Sequence, residues 1–264
     1  MQTITDKIIG RKDGAIGWII FNNPQKRNAV SLEMQQALVV VLEEFARDSA
    51  IRVVILKGAG DKAFVSGADI SEFKDRRSTQ EAAAAYAASS DRVNKALKEC
   101  PKPTIAMIQG YCMGGGMGTA VACDLRIASD NSRFGVPAAK LGVGYRFDRL
   151  KHLAELVGPS FTAEIFYTGR QFDAQEALMM GLVNRVLPVA ELEKYVLNYA
   201  ATIAANAPLT IAAVKRSLIE MPKDEDERNI ALCDKMVDDC FASKDYIEGR
   251  DAFIEKRKPV FQGH

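Results

Sequence analysis

The chain has 264 residues, with 35 basic and 34 acidic side chains and a net charge of +1. That length can bury a sizeable core, as one large domain or one domain with a small appendage. The balanced charge, with no strong block of either sign, argues against a nucleic-acid face or a polybasic membrane anchor.

The first residues, MQTITDKIIGRKDG, lack an apolar signal core, and no run of about 18 apolar residues occurs anywhere. The five cysteines (100, 112, 123, 233 and 240) have no CxxC pairing. Reduced, buried thiols in a cytoplasmic protein are expected. Only His152 and His264 are histidines, so a Ser-His-Asp triad, a Cys-His dyad or a multi-histidine metal site would rest on His152 alone. No metal is expected.

KIIGR and AIGWIIFN flank a turn at Asp13-Gly14 and predict a hairpin. SLEMQQALVVVLEEFARD follows as a helix that Ser31 can cap, with Met34, Leu38, Val41, Leu42 and Phe45 on one face. IRVVILKG (51–58) has the continuous apolar character of a parallel-sheet strand. KAFVSGADISEF (62–73) sets Gly67 between a strand and a helix-like stretch. EAAAAYAASSDRVNKALKEC is helical, stopped by Pro101 and Pro103 before the strand TIAMIQ (104–109). MGTAVACDL continues as a buried helix, and DLRIASD (124–130) is another strand. In FDAQEALMMGLVNRVLP, Asp173 and Glu176 form a capping box, and Gly181 ends that helix before VNRVLP. From about residue 190 onward everything reads as helix, including DYIEGRDAFIEKRK. The pattern predicts an α/β core with a helical C-terminal part.

Two strand-to-helix turns are rich in small residues, VSGAD (65–69) and MGGGMG (113–118). Neither matches a phosphate-binding spacing. Two such turns on neighbouring strands can each present one backbone N–H to the same carbonyl oxygen, as an oxyanion hole. Tight packing of helix on strand would equally explain the glycines.

The chain resembles the crotonase family of enoyl-CoA hydratases and isomerases over nearly its whole length. The matching stretches are NPQKRNAVSLEM (23–34), AFVSGADISEF (63–73), PKPTIAMIQGYCMGGG (101–116), CDLRIASDNSRFGVP (123–137), FYTGRQFDAQEAL (166–178) and GLVNRVLP (181–188), with AFIEKRKPVF (252–261) at the end. The resemblance implies a crotonase-type spiral of ββα turns holding an acyl-CoA thioester, in residues 1–195. It implies a C-terminal helical trimerisation region in residues 196–264, and a homotrimer or dimer of trimers. By position the oxyanion donors are the N–H groups of Ala68 and Gly115, with Asp69, Ile70 and Gly114 beside them. Lys26, Arg27 and Ala29 correspond to the stretch that contacts coenzyme A. Phe253 and Lys256 match positions that reach a neighbouring subunit's coenzyme A. No cofactor is implied, because coenzyme A is part of the substrate.

The sequence departs from the hydratase pattern at both catalytic glutamates. One position is Gly118 and the other is Ala138, in FGVPAAKLG. The hydratase's glycine-rich turn is replaced by Tyr145-Arg146-Phe147-Asp148-Arg149. An oxyanion hole without an acid–base pair suits decarboxylation of a 2-carboxyacyl-CoA, in which loss of CO₂ supplies the electrons. LGVGYRFDRLKHL (141–153) and the C-terminal DYIEGRDAFIEKRKPVFQGH resemble the methylmalonyl-CoA decarboxylase branch. There a tyrosine at the position of Tyr145 hydrogen-bonds the substrate carboxylate, while a histidine stands where this chain has Ala68. A buried tyrosine with a satisfied hydroxyl is the other reading of Tyr145.

Three further readings stay open. Asp69, Glu72 or Asp148 could replace the lost glutamates in a hydratase, and an isomerase would need one base. A non-catalytic acyl-CoA-binding protein on the same fold would account for the loss of both glutamates. A serine-peptidase role for Ser66 finds no partner histidine.

Overall fold

The computed structural model describes residues 5–69 and 80–264. In chain order the first elements are β1 (Ile8–Asp13), β2 (Ile16–Phe21), α1 (Leu32–Arg47), β3 (Val53–Gly58), β4 (Ala63–Val65) and α2 (Gln80–Glu99). Then come β5 (Thr104–Ile108), β6 (Tyr111–Met113), α3 (Gly115–Ala122), β7 (Leu125–Ser129), β8 (Arg133–Gly135) and α4 (Phe147–Thr168). After these lie β9 (Phe172–Asp173), α5 (Ala174–Met179), β10 (Arg185–Leu187) and α6 (Val189–Ala204). The chain finishes with α7 (Pro208–Glu220), α8 (Ile230–Ala242) and α9 (Lys244–Ile254).

From β3 to β8 consecutive strands alternate between two sheets. A six-stranded sheet has the order β1-β2-β3-β5-β7-β10, and a four-stranded sheet the order β4-β6-β8-β9. The pairs β3/β4, β5/β6 and β7/β8 each give one strand to each sheet, which makes every repeat one turn of a spiral. The repeating strands run parallel, with Ile55 opposite Ile105 and Met107 opposite Ile127. Such strands are covered on both faces, which explains their unbroken apolar runs.

Local chemistry sets the boundaries. The Ser31 hydroxyl accepts from Met34 N at 3.2 Å and caps α1, a contact worth about 1 kcal/mol. Met34, Leu38, Val41, Leu42 and Phe45 are all buried, with the Phe45 ring over Gly17. Truncating a core phenylalanine of this kind to alanine costs about 3–5 kcal/mol. On the opposite face of the large sheet, Trp18, Val53, Ile55, Ile105 and Ile127 pack on Leu192, Val196 and Ala200 of α6. The expected boundary at residue 195 therefore falls inside a helix that belongs to the core. The chain turns by 103° between α6 and α7 instead. Among the described residues no single helix is long and apolar enough to cross a membrane.

Several expectations are corrected. The hairpin turn is Gly14-Ala15, one residue later than read, because Asp13 still pairs with Ile16. The C-terminal helix ends at Ile254 rather than running through 258: Lys256 adopts a left-handed φ of 54° and Arg257 N bonds Ala252 O at 3.0 Å. That is a Schellman stop, with Pro259 beyond it. The tail then returns to the core, where Arg52 donates to Phe261 O and Gln262 O. The short strands β6, β8 and β9 and the helix α4 were not separated in the sequence. Gly158 (φ 78°, ψ 162°) and Pro159 break α4 in its middle and mask its periodicity.

Candidate active site

The site begins where the loop after β2 meets the end of β4. Loop residues Arg27 and Asn28 both hold left-handed conformations, φ 51° and 56°. For arginine this is strained backbone, tolerated where surrounding contacts enforce it. Asn28 supplies those contacts. It is fully buried, its amide nitrogen donates to Ala63 O at 2.7 Å and Ala59 O at 3.0 Å, and its oxygen accepts from Asn23 N at 3.0 Å.

Loop and turn are laced together. Ser66 N donates to Arg27 O at 3.1 Å, Val30 N to Gly67 O at 2.9 Å, and Asp69 N to Val30 O at 3.0 Å. The last two bonds form a parallel bridge that pairs Val30 with Ala68. In such a bridge the flanking residues bond to the neighbour, so the N–H of Ala68 points away from Val30.

The second turn joins β6 to α3, and its three glycines have three separate physical reasons. Gly114 (φ 52°, ψ −116°) takes a conformation reserved for glycine and caps the helix. A methyl group on Gly116 would lie 2.4 Å from Val65 O, so this glycine lets α3 approach β4. Gly115 is exposed, and a methyl group there would meet nothing within 4 Å. The two turns touch: a methyl group built on Gly114 would lie 3.9 Å from Gly67 Cα, and one on Gly67 3.5 Å from Met113 O. Among the described residues neither Ala68 N–H nor Gly115 N–H has a hydrogen-bond acceptor. Gly115 is the first residue of α3, where the helix dipole favours developing negative charge.

The surrounding side chains carry little acid–base chemistry. Gly118 is exposed and would accept a side chain freely, while Ala138 is buried in the turn after β8. Asp69 is nearly buried, and its carboxylate is ion-paired to Lys26 Nζ at 2.8 Å. Asp148 lies exposed in the first turn of α4. Glu72 and Ile70 lie outside the described residues. Tyr145 packs on the core with its ring edge-on to Phe166 at 4.7 Å, just before α4, which contacts both α3 and the 137–141 turn. Arg146 and Phe147 are exposed, whereas Arg149 is anchored to Asp91 at 2.8 Å.

The remaining sequence candidates sit in the loop itself or at the C-terminal helix α9. The Arg27 guanidinium stacks over Tyr111 at 5.2 Å, lining a cleft of about 430 Å³ with Lys62 and Arg133. Ala29 is buried in the loop. Phe253 is 85% exposed on α9, with Lys256 at its end. His152 is half-buried and contacts Glu155 at 3.5 Å, while the Ser66 hydroxyl donates to Lys26 O at 3.2 Å. Burial pushes the Cys112 and Cys123 thiols well up, the latter to about 12, and makes them poor nucleophiles. Among the described residues no three His, Cys, Asp or Glu side chains converge as metal ligands. Sequence reasoning missed Asn28. Its one signal is a small polar residue wedged between KR and a buried apolar run.

Residues 11–264 match the family model described as enoyl-CoA hydratase/isomerase. The chain is 34% identical over 253 residues to the short-chain-enoyl-CoA hydratase of Clostridium acetobutylicum, covering 96% of each chain. It is 34% identical over 260 residues to the crotonyl-CoA hydratase of Syntrophomonas wolfei, covering 97% of this chain and 98% of the relative. The crystal structure of an enoyl-CoA hydratase/carnithine racemase from Magnetospirillum magneticum superposes with a TM-score of 0.92 at 37% identity, covering 98% and 97% of the two chains.

Proposed function

The chain belongs to the enoyl-CoA hydratase/isomerase family, and from that premise we propose that it is an acyl-CoA lyase acting by decarboxylation of a 2-carboxyacyl-CoA, methylmalonyl-CoA or a close analogue. The observation that carries this reading is the pairing of two uncommitted N–H groups, on Ala68 and Gly115, with Gly118 and Ala138 in place of the family's glutamates.

The thioester oxygen would accept from both N–H groups. The bond between the α-carbon and the carboxylate breaks, its electron pair becomes the enolate, and CO₂ leaves. Solvent returns a proton to the α-carbon, giving the shorter acyl-CoA. Each oxyanion donor contributes about 10²–10³-fold in such chemistry. Tyr145 would orient the carboxylate that is lost. Lys26, Arg27, Ala29, Asp69, Ile70 and Gly114 would line the coenzyme A path, with Phe253 and Lys256 supplied by a second copy in a trimer or dimer of trimers. The exposed apolar side chains of α7–α9, among them Leu218, Met221, Phe241 and Phe253, support that assembly. The reading needs no cofactor beyond the coenzyme A of the substrate, and it takes the protein as cytoplasmic.

A second reading is favoured by the relatives, two of which are named as hydratases. Enoyl-CoA hydration would need a relocated carboxylate, and Asp148 is the freest one described, since Asp69 is paired with Lys26. The deciding experiment is mass-spectrometric turnover of methylmalonyl-CoA and crotonyl-CoA, on the wild type and on Tyr145→Phe. Propionyl-CoA formation slowed by the substitution is the expected result. Hydration of crotonyl-CoA alone would overturn the decarboxylase reading.

A further inference from the structure

Helix α2 contacts the loop after β2, helix α1 and the start of α4 with one stripe of its surface. Residues 86 and 90, and likewise 87 and 91, are one turn apart and share a face. The Tyr86 hydroxyl donates to Val30 O at 3.1 Å. Ser90 Oγ accepts from Gln35 Nε2 of α1 at 2.7 Å. Arg149, at the start of α4, donates from Nε and Nη2 to Asp91 Oδ1 at 2.9 and 2.8 Å, and from Nη2 to Ala87 O at 2.9 Å.

Val30 is the residue whose two backbone bonds, to Gly67 O and from Asp69 N, set the direction of the Ala68 N–H. Its carbonyl carries two lone pairs, one used by Asp69 N and the other by Tyr86. A hydroxyl on that second lone pair restrains the carbonyl's tilt, and the tilt of Val30 governs the turn bonded to it. Oxyanion donors act only when held within about 0.5 Å of the productive position, so such a restraint bears directly on rate.

We infer that Tyr86 is a positioning residue for the first oxyanion donor, acting on Ala68 through Val30. Helix α2 is the strut that ties this turn to the Tyr145–Arg149 segment, because Arg149 grips Ala87 and Asp91 on the same turns of helix that carry Tyr86. This rests on the reading of Ala68 N–H as an oxyanion donor. Tyr86 contacts no reacting atom, and its sequence signal is slight: it is the one large side chain in the run EAAAAYAASS.

The test reads the carbonyl itself. Butyryl-CoA labelled with ¹³C at the thioester carbon has neither a 2-carboxylate nor a double bond to react, and isotope-edited infrared spectroscopy reports the polarisation of its bound carbonyl. In the wild type the band moves to lower frequency than in water. In Tyr86→Phe a third or more of that shift, as a rough estimate, is lost, kcat falls about tenfold and KM changes less than about twofold. A merely structural role would lower the melting temperature and leave the band of bound ligand where it was. An unchanged band in Tyr86→Phe therefore overturns the inference. Arg149→Gln, which releases the strut from α4, should reduce the shift by a smaller amount. If Tyr86→Phe does not fold, an unchanged band in Arg149→Gln overturns the strut. Absence of any shift in wild type with butyryl-CoA bound would overturn the oxyanion reading itself, an outcome distinct from the failure of Tyr86 alone.

Discussion

The two glycine turns are assembled almost wholly from backbone, whereas helices α7–α9 and the tail are held by charged side chains. At the turns the proposed donors are two N–H groups, and their placement follows from glycine sterics and the Val30 bridge. In the C-terminal part, Lys215 Nζ bonds Asp124 at 2.7 Å and Lys102 O at 2.9 Å. Glu220 gathers Arg216, Lys223 and Asn229 N, while Glu248 gathers Arg257 and Val260 N. The difference teaches that the chemistry and the docking of the C-terminal helices answer to different variables. A methyl group at Gly116 should ruin the first, and pH or charge should govern the second.

The largest expected effect is on the steric side. Gly116→Ala places a methyl group 2.4 Å from Val65 O and 2.6 Å from Val65 Cβ, so α3 must move. A displacement near 1 Å costs about 100-fold in rate, and steady-state turnover of the variant should fall at least that far. Survival of activity would show that the two turns need not be in register.

The charge side gives a smaller, different response. Lys215→Met leaves Asp124 with its two bonds from Thr104, at 2.7 and 2.9 Å, so the carboxylate is not orphaned. With Asp124 one-third exposed, the loss is about 2 kcal/mol, read as a fall in melting temperature of about 5 °C. Turnover per folded molecule should hold, and a fall in kcat of the folded fraction would break the separation.

The smallest effect is the pH dependence. A hydrogen bond from Lys223, then one from Asn229 N, holds the Glu220 carboxyl down at about 2. Arg257, then Val260 N, holds Glu248 at about 2. Folded values below the unfolded value of 4.5 mean that the contribution is fully present above pH 4.5. It drains as pH falls from there toward 2. Amide protection factors, corrected for the intrinsic exchange rate at each pH, should therefore fall in α9 and the tail across that window before they do in β3 and β5. A uniform fall would mean that the two regions open together.

How far the sequence went depends on the kind of interaction involved. Strands such as IRVVILKG and the capped helix from Ser31 were legible because apolar period and capping are local properties. The glycine triplet announced a special turn, yet which glycine served conformation and which served approach depended on Val65, some fifty residues away. Asn28 and Tyr86 escaped because each acts by bonding a carbonyl distant in sequence, which no spacing encodes. Likewise β6, β8 and β9 are three residues or fewer and gain their pairing only from the spiral. Lys256 ended its helix by a left-handed turn that a lysine does not advertise.

The most direct test of the oxyanion account deletes one donor without reshaping the turn. Gly115 is the first residue of α3, where proline is well accommodated. Gly114 at φ 52° and ψ −116° mirrors the extended region that precedes proline, which glycine enters freely. Gly115→Pro therefore removes the N–H, and Gly115→Ala adds a comparable carbon while keeping it. The measurement is kcat of the two variants on whichever acyl-CoA the wild type turns over. The account predicts a loss of about 10²–10³-fold for proline, with alanine within about fivefold of wild type. Equal rates for the two variants would contradict it.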